Sequence, residues 1–443
     1  MRSLTPSELG INALSIAWHY LAFQRRPLIS RRSTRDYQLK QLKKLIAHAY
    51  EHVPLYREKY TQAGVTPQDL RALDDLAHFP TATKDEILAS YPHDAIAGGI
   101  DLRRCILSKS SGSTGQVITV VHRANQLGVQ GLAMNRLFSL YGSYLPWHRL
   151  AYIYTSEYPA RSLFGMYPMT FIPTLAPIAE ISFRIRQLRP RFLACYPSHL
   201  HELAAHLSQG ECQQLQLKAI SVSSELSTQQ ERDRLAELFG CAVYDEYSSE
   251  ELTHIAAQCR EKTYHIFEDL VFLEILSPDS GQPLPSGTQG SVVGTYLHNY
   301  AMPFIRYHQG DQAVLDDAYC PCGLSFRGVR EISGRKLDQF ILPSGRILSS
   351  GWLLDASYSF LLDLEADIAA FTMTQETVKD VCIEIVPGPA YTAPMSEAIK
   401  TRLLELVGEP INVRVDLVRE LKRSTGGKHH PIISHLAHRT CAM

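Results

Sequence analysis

Apolar positions in the first 80 residues recur at helical spacing. Leu39, Leu42, Leu45, Ile46 and Tyr50 share one face, and Pro54 breaks the run. Pro54-Leu55-Tyr56-Arg57 opens a second short helix to Ala63, which Gly64 stops. From about residue 100 the pattern changes to short apolar runs separated by turns and helical stretches. Residues 105–107 and 117–121 predict strands flanking a Gly/Ser turn, while 150–155, 192–196 and 219–223 predict buried strands. Helical stretches such as 197–207 and 228–239 lie between them, and this alternation implies an α/β fold with a mainly parallel sheet.

A different pattern follows. Strands at 271–276, 291–297 and 312–315, divided by Gly/Pro turns at 278–290, predict a small twisted antiparallel or barrel-like subdomain. After Gly334-Arg335 come strands at 368–373, 381–386 and 411–417 and an amphipathic helix at 395–407, a compact α+β unit. The expected organisation is a large domain over 1–334, with a helical N-terminal region over 1–80, and a small C-terminal domain over 335–443. The longest N-terminal apolar stretch, 11–23, is interrupted by His19 and too short to span a bilayer. Met1-Arg2-Ser3-Leu4-Thr5 leads into no signal-peptide pattern.

Composition narrows the function. With 45% hydrophobic and 20% charged residues the 443-residue chain is not disordered. Forty-four Lys+Arg against 45 Asp+Glu leave a formal charge of -1, so no global field draws it to nucleic acid or an anionic membrane. A small molecule in a cleft is the expected partner. The five arginines Arg25, Arg26, Arg31, Arg32 and Arg35 form a local basic run, which reads first as a solvated face. Nine cysteines, an odd number in a long chain, exclude a small disulfide scaffold. Cytoplasm is the expected compartment, with thiols free to bind metal.

Several segments carry candidate chemistry. Lys109-Ser110-Ser111-Gly112-Ser113-Thr114-Gly115-Gln116 sits between two predicted strands. Its glycines permit a tight loop whose backbone N–H groups converge on phosphate oxygens, and its hydroxyls add donors. No Gly-Lys-Ser/Thr follows, so it is not a Walker A loop. Further on stand Ser223-Ser224-Glu225, Tyr244-Asp245-Glu246-Tyr247-Ser248-Ser249-Glu250-Glu251 and Met302-Pro303-Phe304-Ile305-Arg306-Tyr307-His308-Gln309-Gly310-Asp311. A carboxylate such as Asp311 can accept both hydroxyl protons of a cis-diol. Gly334-Arg335-Lys336-Leu337-Asp338 and Leu421-Lys422-Arg423-Ser424-Thr425-Gly426-Gly427-Lys428 complete the set. Separately, Cys259, His265, Cys320 and Cys322 offer three thiols and an imidazole, a set suited to a closed tetrahedral zinc site.

In order and spacing these segments resemble the adenylate-forming acyl ligases, nearest the phenylacetate–CoA ligase and CapK-like branch, over roughly residues 40–430. That branch also carries a segment like Phe79-Pro80-Thr81-Ala82-Thr83-Lys84 ahead of the phosphate loop. The resemblance implies phosphate binding by Ser110, Ser111, Gly112, Ser113, Thr114 and Gly115. It implies an adenine site at Ser224, Glu225, Tyr247 and Ser248, ribose binding by Asp311, and Arg306 close to the nucleotide. It further implies Mg²⁺ at Glu251, a hinge at Arg335, Lys336 and Asp338 with Arg335 reaching ribose or phosphate, and Lys428 as the mobile catalytic lysine of the C-terminal cap. Two positions depart from the family pattern: Gln116 replaces a lysine and Ser248 a glycine.

The reaction so implied is ATP-dependent activation of a carboxylic acid to an acyl-adenylate with release of pyrophosphate, then transfer to CoA. A carrier protein or an amine stands as the alternative acceptor, and a degenerate nucleotide-binding relative as the alternative to turnover. The cofactors are ATP, Mg²⁺, CoA and a structural Zn²⁺, and a homodimer fits as the assembly. Tyr152, Tyr154, Phe164, Tyr167 and Phe171 are placed to line a pocket for an aryl acid, although such residues more often belong to the core.

Overall fold

The computed structural model describes residues 5–109, 117–158, 162, 165–332, 339–348, 350–364, 366–423 and 429–436. Three helices lead: α1 (Pro6–Arg25), α2 (Arg31–His52) and α3 (Pro54–Gln62). Thr5 and Glu8 cap α1 reciprocally. Pro54 stands at the first position of α3, where its missing N–H would have had no helical partner. The periodic row of α2, including Leu42, Leu45 and Ile46, is buried. After α4 (Lys84–Ser90), β1 (Cys105–Lys109) and β2 (Thr119–Arg123) pair antiparallel up to Lys109↔Thr119. The candidate phosphate loop from Ser110 to Gly115 falls in their connection, outside the described residues.

Helix α5 (Leu127–Leu140) leads into β3 (Leu150–Tyr154) and β4 (Met169–Pro173). Then come α6 (Ile178–Leu188), β5 (Phe192–Cys195), α7 (Pro197–His206), α8 (Gln209–Gln214), β6 (Ala219–Ser223), α9 (Gln229–Phe239) and β7 (Ala242–Ser249). The five strands run parallel in the order β7-β6-β5-β3-β4. β5 and β6 are buried at every position, which is why β5 reads as an unbroken apolar run and β6 admits only small polar residues, Ser221 and Ser223.

The antiparallel strands continue the same sheet. β8 (Thr253–Gln258), β9 (Tyr264–Ile266), β10 (Val271–Leu276), β11 (Gln289–Tyr296), β12 (Tyr307–Asp316) and β13 (Gly328–Arg330) extend it in the order β10-β11-β12-β13-β9-β8-β7. The small subdomain expected over 270–315 is thus one wing of an eleven-stranded sheet, hydrogen-bonded through β8 to the parallel wing.

A second sheet has its own core. After the hairpin β14 (Phe340–Ile341) and β15 (Ile347–Leu348) come α10 (Ser350–Asp363), β16 (Ile368–Gln375), β17 (Asp380–Pro387), α11 (Ala393–Val407), β18 (Asn412–Leu417) and β19 (Ile432–Ser434). Strands β18-β17-β16-β19 form a four-stranded sheet. Leu353, Leu354, Phe371, Ile383, Ile385 and Leu403 pack into one apolar cluster there. Helix α10 is an element that the strand-and-helix reading of this region omitted. No described helix is long and apolar enough to cross a membrane.

Candidate active site

The carboxyl ends of parallel strands are where open α/β sheets bind ligands, because the crossovers leave a crevice there. Ser223 on β6 pairs in register with Glu246 on β7, so Ser224, just past the end of β6, lies beside Tyr247 near the end of β7. Ser224 turns away at φ +69°. A register shift between Tyr247 and Ser248 re-aims the side chains of β7. The Tyr247 hydroxyl donates to Asp311 Oδ2 at 2.6 Å. Asp311 lies on β12, with three strands between it and β7 in ladder order, so the antiparallel wing curls back over β7. Two segments 64 residues apart therefore meet at one point.

Glu251 is seated beside this contact. The Tyr307 hydroxyl stands 3.4 Å from Glu251 Oε1. The neighbouring Leu252 fills space that only a glycine leaves open, since a Cβ on Gly294 would come within 2.2 Å of Leu252 Cδ1. The segment resembling the family's N-terminal motif closes the far side: Ala82 donates to the Arg306 carbonyl at 2.9 Å, and His308 donates to the Ala82 carbonyl at 3.0 Å.

Arg306, expected close to the nucleotide, has its side chain engaged within the protein. Its guanidinium is buried and holds Glu274 through two bonds, Nε to Oε2 at 3.0 Å and Nη2 to Oε1 at 2.9 Å. Nη1 donates to the carbonyls of Ala77, at 3.2 Å, and Phe79. With these acceptors engaged, Arg306 ties β12 to β10 and to the 77–79 turn. A carboxylate in a wholly buried strand needs such a partner. Glu274, alone in the run Val271-Phe272-Leu273-Glu274-Ile275-Leu276, was the sequence signal for this pair.

Glu225 accepts from the Ser198 backbone N–H and hydroxyl, each at 3.0 Å, at the start of α7. It also accepts from the backbone N–H of His429 at 2.6 Å, across the gap to the second sheet. Arg423 donates to Ser198 Oγ at 3.3 Å and pairs with Glu202. Ser198, His201, Glu202, Glu225, Arg423 and His429 line a cavity of about 650 Å³ between the two units. Of these only Glu225 was a candidate from sequence. Glu202 had no local signal, while Arg423 was visible only as a neighbour of the Gly-Gly-Lys loop. Lys428, Arg335, Lys336 and Asp338 lie outside the described residues.

The cysteine set converges elsewhere. Cys259 follows β8, His265 is on β9, and Cys320 and Cys322 lie in the β12–β13 connection. Their ligand atoms all fall within 4.8 Å of one another. Cys259 and Cys320 Sγ are 3.7 Å apart, far beyond a disulfide bond but close to the ~3.8 Å edge of a tetrahedron with ~2.3 Å metal–sulfur bonds. Nδ1 of His265 lies 2.9 Å from the Phe326 carbonyl, an arrangement that places the ring proton there and leaves Nε2, 3.1 Å from Cys322 Sγ, as the free ligand atom. Burial pushes the His265 pKa below its ordinary value, keeping the ring in its neutral, metal-binding form.

Tyrosines crowd the parallel wing near the site. Tyr154 and Ser223 share a hydrogen bond of 2.8 Å, and Tyr158 N donates to the Tyr152 hydroxyl at 3.0 Å. Tyr141 and Tyr244 stack with centroids 4.4 Å apart. Burial raises the pKa of Tyr141, Tyr154 and Tyr158, so their phenols stay neutral. Tyr152 belongs to the core, and Tyr167 and Phe171 pack against it. Phe164 lies outside the described residues.

No family model matches the chain. It is, however, 30% identical to the phenylacetate–coenzyme A ligase of Thermus thermophilus over 326 residues, covering 71% of this chain and 73% of that one. The chain belongs to the phenylacetate–CoA ligase family. The Escherichia coli phenylacetate–coenzyme A ligase is 29% identical, with 71% and 74% of the two chains covered. The crystal structure of a 2-hydroxyisobutyryl-CoA ligase in its postadenylation state shares the fold at a TM-score of 0.77 and 20% identity, over 94% of this chain and 93% of the other. The same ligase in its thioesterification state, with CoA, gives 0.62 over 94% and 93%. This family of AMP-forming carboxylate ligases accounts for a site at the strand ends facing a second, smaller sheet.

Proposed function

We propose that this protein activates a carboxylic acid with ATP and passes the acyl group to CoA. A carboxylate oxygen of the acid attacks the α-phosphorus, the bond from that phosphorus to the bridging oxygen breaks, and pyrophosphate leaves. In the second half-reaction the CoA sulfur attacks the acyl carbon, the thiol proton passes to solvent, the bond from that carbon to the phosphate oxygen breaks, and AMP leaves. The Tyr247–Asp311 contact is the observation that carries this reading. It supports a nucleotide lying between the ends of β6 and β7, with Asp311 on the ribose diol and Ser224, Glu225 and Ser248 around the base. Glu251 would hold Mg²⁺, which neutralises phosphate charge when bound.

In this reading residues 335–443 are the cap and Arg335, Lys336 and Asp338 its hinge. Lys428 reaches the α-phosphate while the acid attacks, stabilising charge that develops there. Ser110, Ser111, Gly112, Ser113, Thr114 and Gly115 cradle the phosphates. Acid-dependent ATP–pyrophosphate exchange, run across aryl and aliphatic acids, tests activation. Exchange with at least one acid is expected. ATP binding without exchange for any acid would favour a degenerate nucleotide binder. CoA-dependent release of AMP, set against release with an amine or a carrier protein, tests the acceptor.

The Cys259, His265, Cys320 and Cys322 set supports a zinc ion with all four positions filled by protein, a structural site without a place for substrate. Its role is to tie the β8–β9 turn to the β12–β13 connection. Stoichiometric zinc in purified protein is expected, with loss of the metal in Cys320→Ser. Metal-free wild-type protein of full thermal stability would overturn this assignment.

A further inference from the structure

The N-terminal helix has two unlike faces. Inward, Asn12 Nδ2 donates to the Ala124 carbonyl and Gly128 N donates to Asn12 Oδ1, each at 2.7 Å, which docks α1 on the start of α5. Phe23 is buried under the Arg136 guanidinium, 3.6 Å from its ring centroid. Outward stand Ile11, Leu14, Trp18 and Leu21, 52 to 83% exposed. At 100° per residue these four fall within one narrow stripe. From residue 9 to residue 24 the sequence carries no Asp, Glu, Lys or Arg to solvate it.

We infer that this stripe is the contact surface for a second copy of the chain, with the two α1 helices packed antiparallel across a two-fold axis. The spacing of the four residues is three, four, three, which reads the same from either end. Such a stripe is self-complementary in the antiparallel sense: Leu14 of one copy meets Trp18 of the other, and Ile11 meets Leu21. This alternation is also the seam that lets two helices pack at a shallow angle. The ends agree in charge, since Glu8 lies in the first turn and Arg25 in the last, and the antiparallel register brings them together between copies.

Area supports the same occupant. Four side chains so exposed offer on the order of 500 Å² of apolar surface, and Leu28, 67% exposed, extends it toward the ~800 Å² that each partner of a stable dimer buries. An apolar patch of this size ranks among the largest a monomer exposes, and such patches often serve a contact. An anionic lipid surface is the competing occupant, but three of the five nearby arginines are turned to the protein. Arg26 faces Asp269 at 3.5 Å and Arg35 faces Asp74 at 3.4 Å, while Arg31 donates to the carbonyls of Ser325, Asp317 and Ala318.

Sedimentation equilibrium of the full chain tests this, with Trp18→Glu and Leu14→Glu as separate variants. A micromolar or tighter dimer is expected for the parent, and dissociation weakened at least 100-fold in each variant, with pyrophosphate exchange unchanged. Register is read by oxidation: Ile11→Cys with Leu21→Cys should give a covalent dimer, and Ile11→Cys alone should not. A parent that stays monomeric at all concentrations overturns the proposal. So does a dimer indifferent to both glutamate variants, or Trp18-dependent binding to phosphatidylglycerol vesicles by a monomer.

Discussion

Two arginine–glutamate pairs in this molecule have similar chemistry and opposite settings. Arg306–Glu274 lies inside the large sheet, with side chains 3% and 7% exposed, and the arginine also donates to two backbone carbonyls. Arg423–Glu202 spans the gap between the two units at 28% and 44% exposure. Inside, neither charge can exchange its partner for water, so breaking the pair strands an ion. At the interface each charge is already part-exposed and would regain water if the units parted, as in the proposed cycle, so the pair can open at little cost. Arg306 even holds φ +47°, a left-handed conformation a side chain adopts only where its surroundings impose it. The first pair is a rivet and the second a catch. The difference teaches that burial, rather than the identity of the ions, decides whether an ion pair can move during a reaction cycle.

The largest effect tests the rivet. Glu274→Ala leaves the Arg306 charge buried, and a loss of about 3–5 kcal/mol in unfolding free energy is expected from denaturant titration. Replacing both partners, Glu274→Leu with Arg306→Met, should recover most of that loss, because no ion is then stranded. A single variant costing less than about 1 kcal/mol would show that water reaches the pair and would erase the contrast with the interface.

Much of this could be read from the chain, and the failures share a cause. The parallel strands were legible because burial on both faces writes a continuous apolar run, as in Phe192–Cys195. The meeting of Cys259, His265, Cys320 and Cys322 was legible because Cys320 and Cys322 flank one proline and Cys259 and His265 lie six residues apart, spacings that bring ligand atoms together. The partner of Arg306 was not legible because a motif says which residues recur but not which way a side chain points. Its direction is set by Glu274, 32 residues earlier on another strand. The contacts of Ser198 and Glu202 were invisible for a similar reason. They depend on where a separately folded sheet comes to rest, and no local pattern encodes that.

The catch should matter to rate rather than to stability. Glu202→Gln is expected to change unfolding by less than about 1 kcal/mol. In the adenylation half-reaction it should cost about fivefold, the kinetic equivalent of about 1 kcal/mol, because Arg423 stands just before the loop that ends in Lys428. Thioester formation from a supplied acyl-adenylate should keep its rate, since in the proposed cycle the cap has by then left this seat. Arg423→Glu combined with Glu202→Arg should restore part of the loss. Equal slowing of both half-reactions would reduce the pair to a surface contact.

Acidity separates the two regions by sign. At the interface His429 has its pKa lowered to about 4, chiefly by burial, then by Arg423, His430 and His201, with Glu231 opposing. Glu225 also touches this residue, at its backbone N–H. A cap swung away returns His429 to water and to the ordinary value near 6.5. The seated state thus excludes a proton that the open state binds. Its stability is complete above pH 6.5 and declines as pH falls toward 4. Between pH 7 and pH 6 the seated population should drop about threefold relative to the open one, and pyrophosphate exchange with it. Inside the sheet the order reverses. Burial raises the Glu274 pKa against the pull of Arg306, so its contribution is fully present at low pH and is lost only as pH rises through the raised value. Acidification to pH 6 should therefore loosen the catch and spare the rivet. His429→Gln, which keeps a polar side chain but cannot titrate, should flatten the exchange profile between pH 7 and 6 while leaving the unfolding midpoint at each pH unchanged. A variant that retains the parent's slope would move the titrating group elsewhere and leave the catch independent of pH.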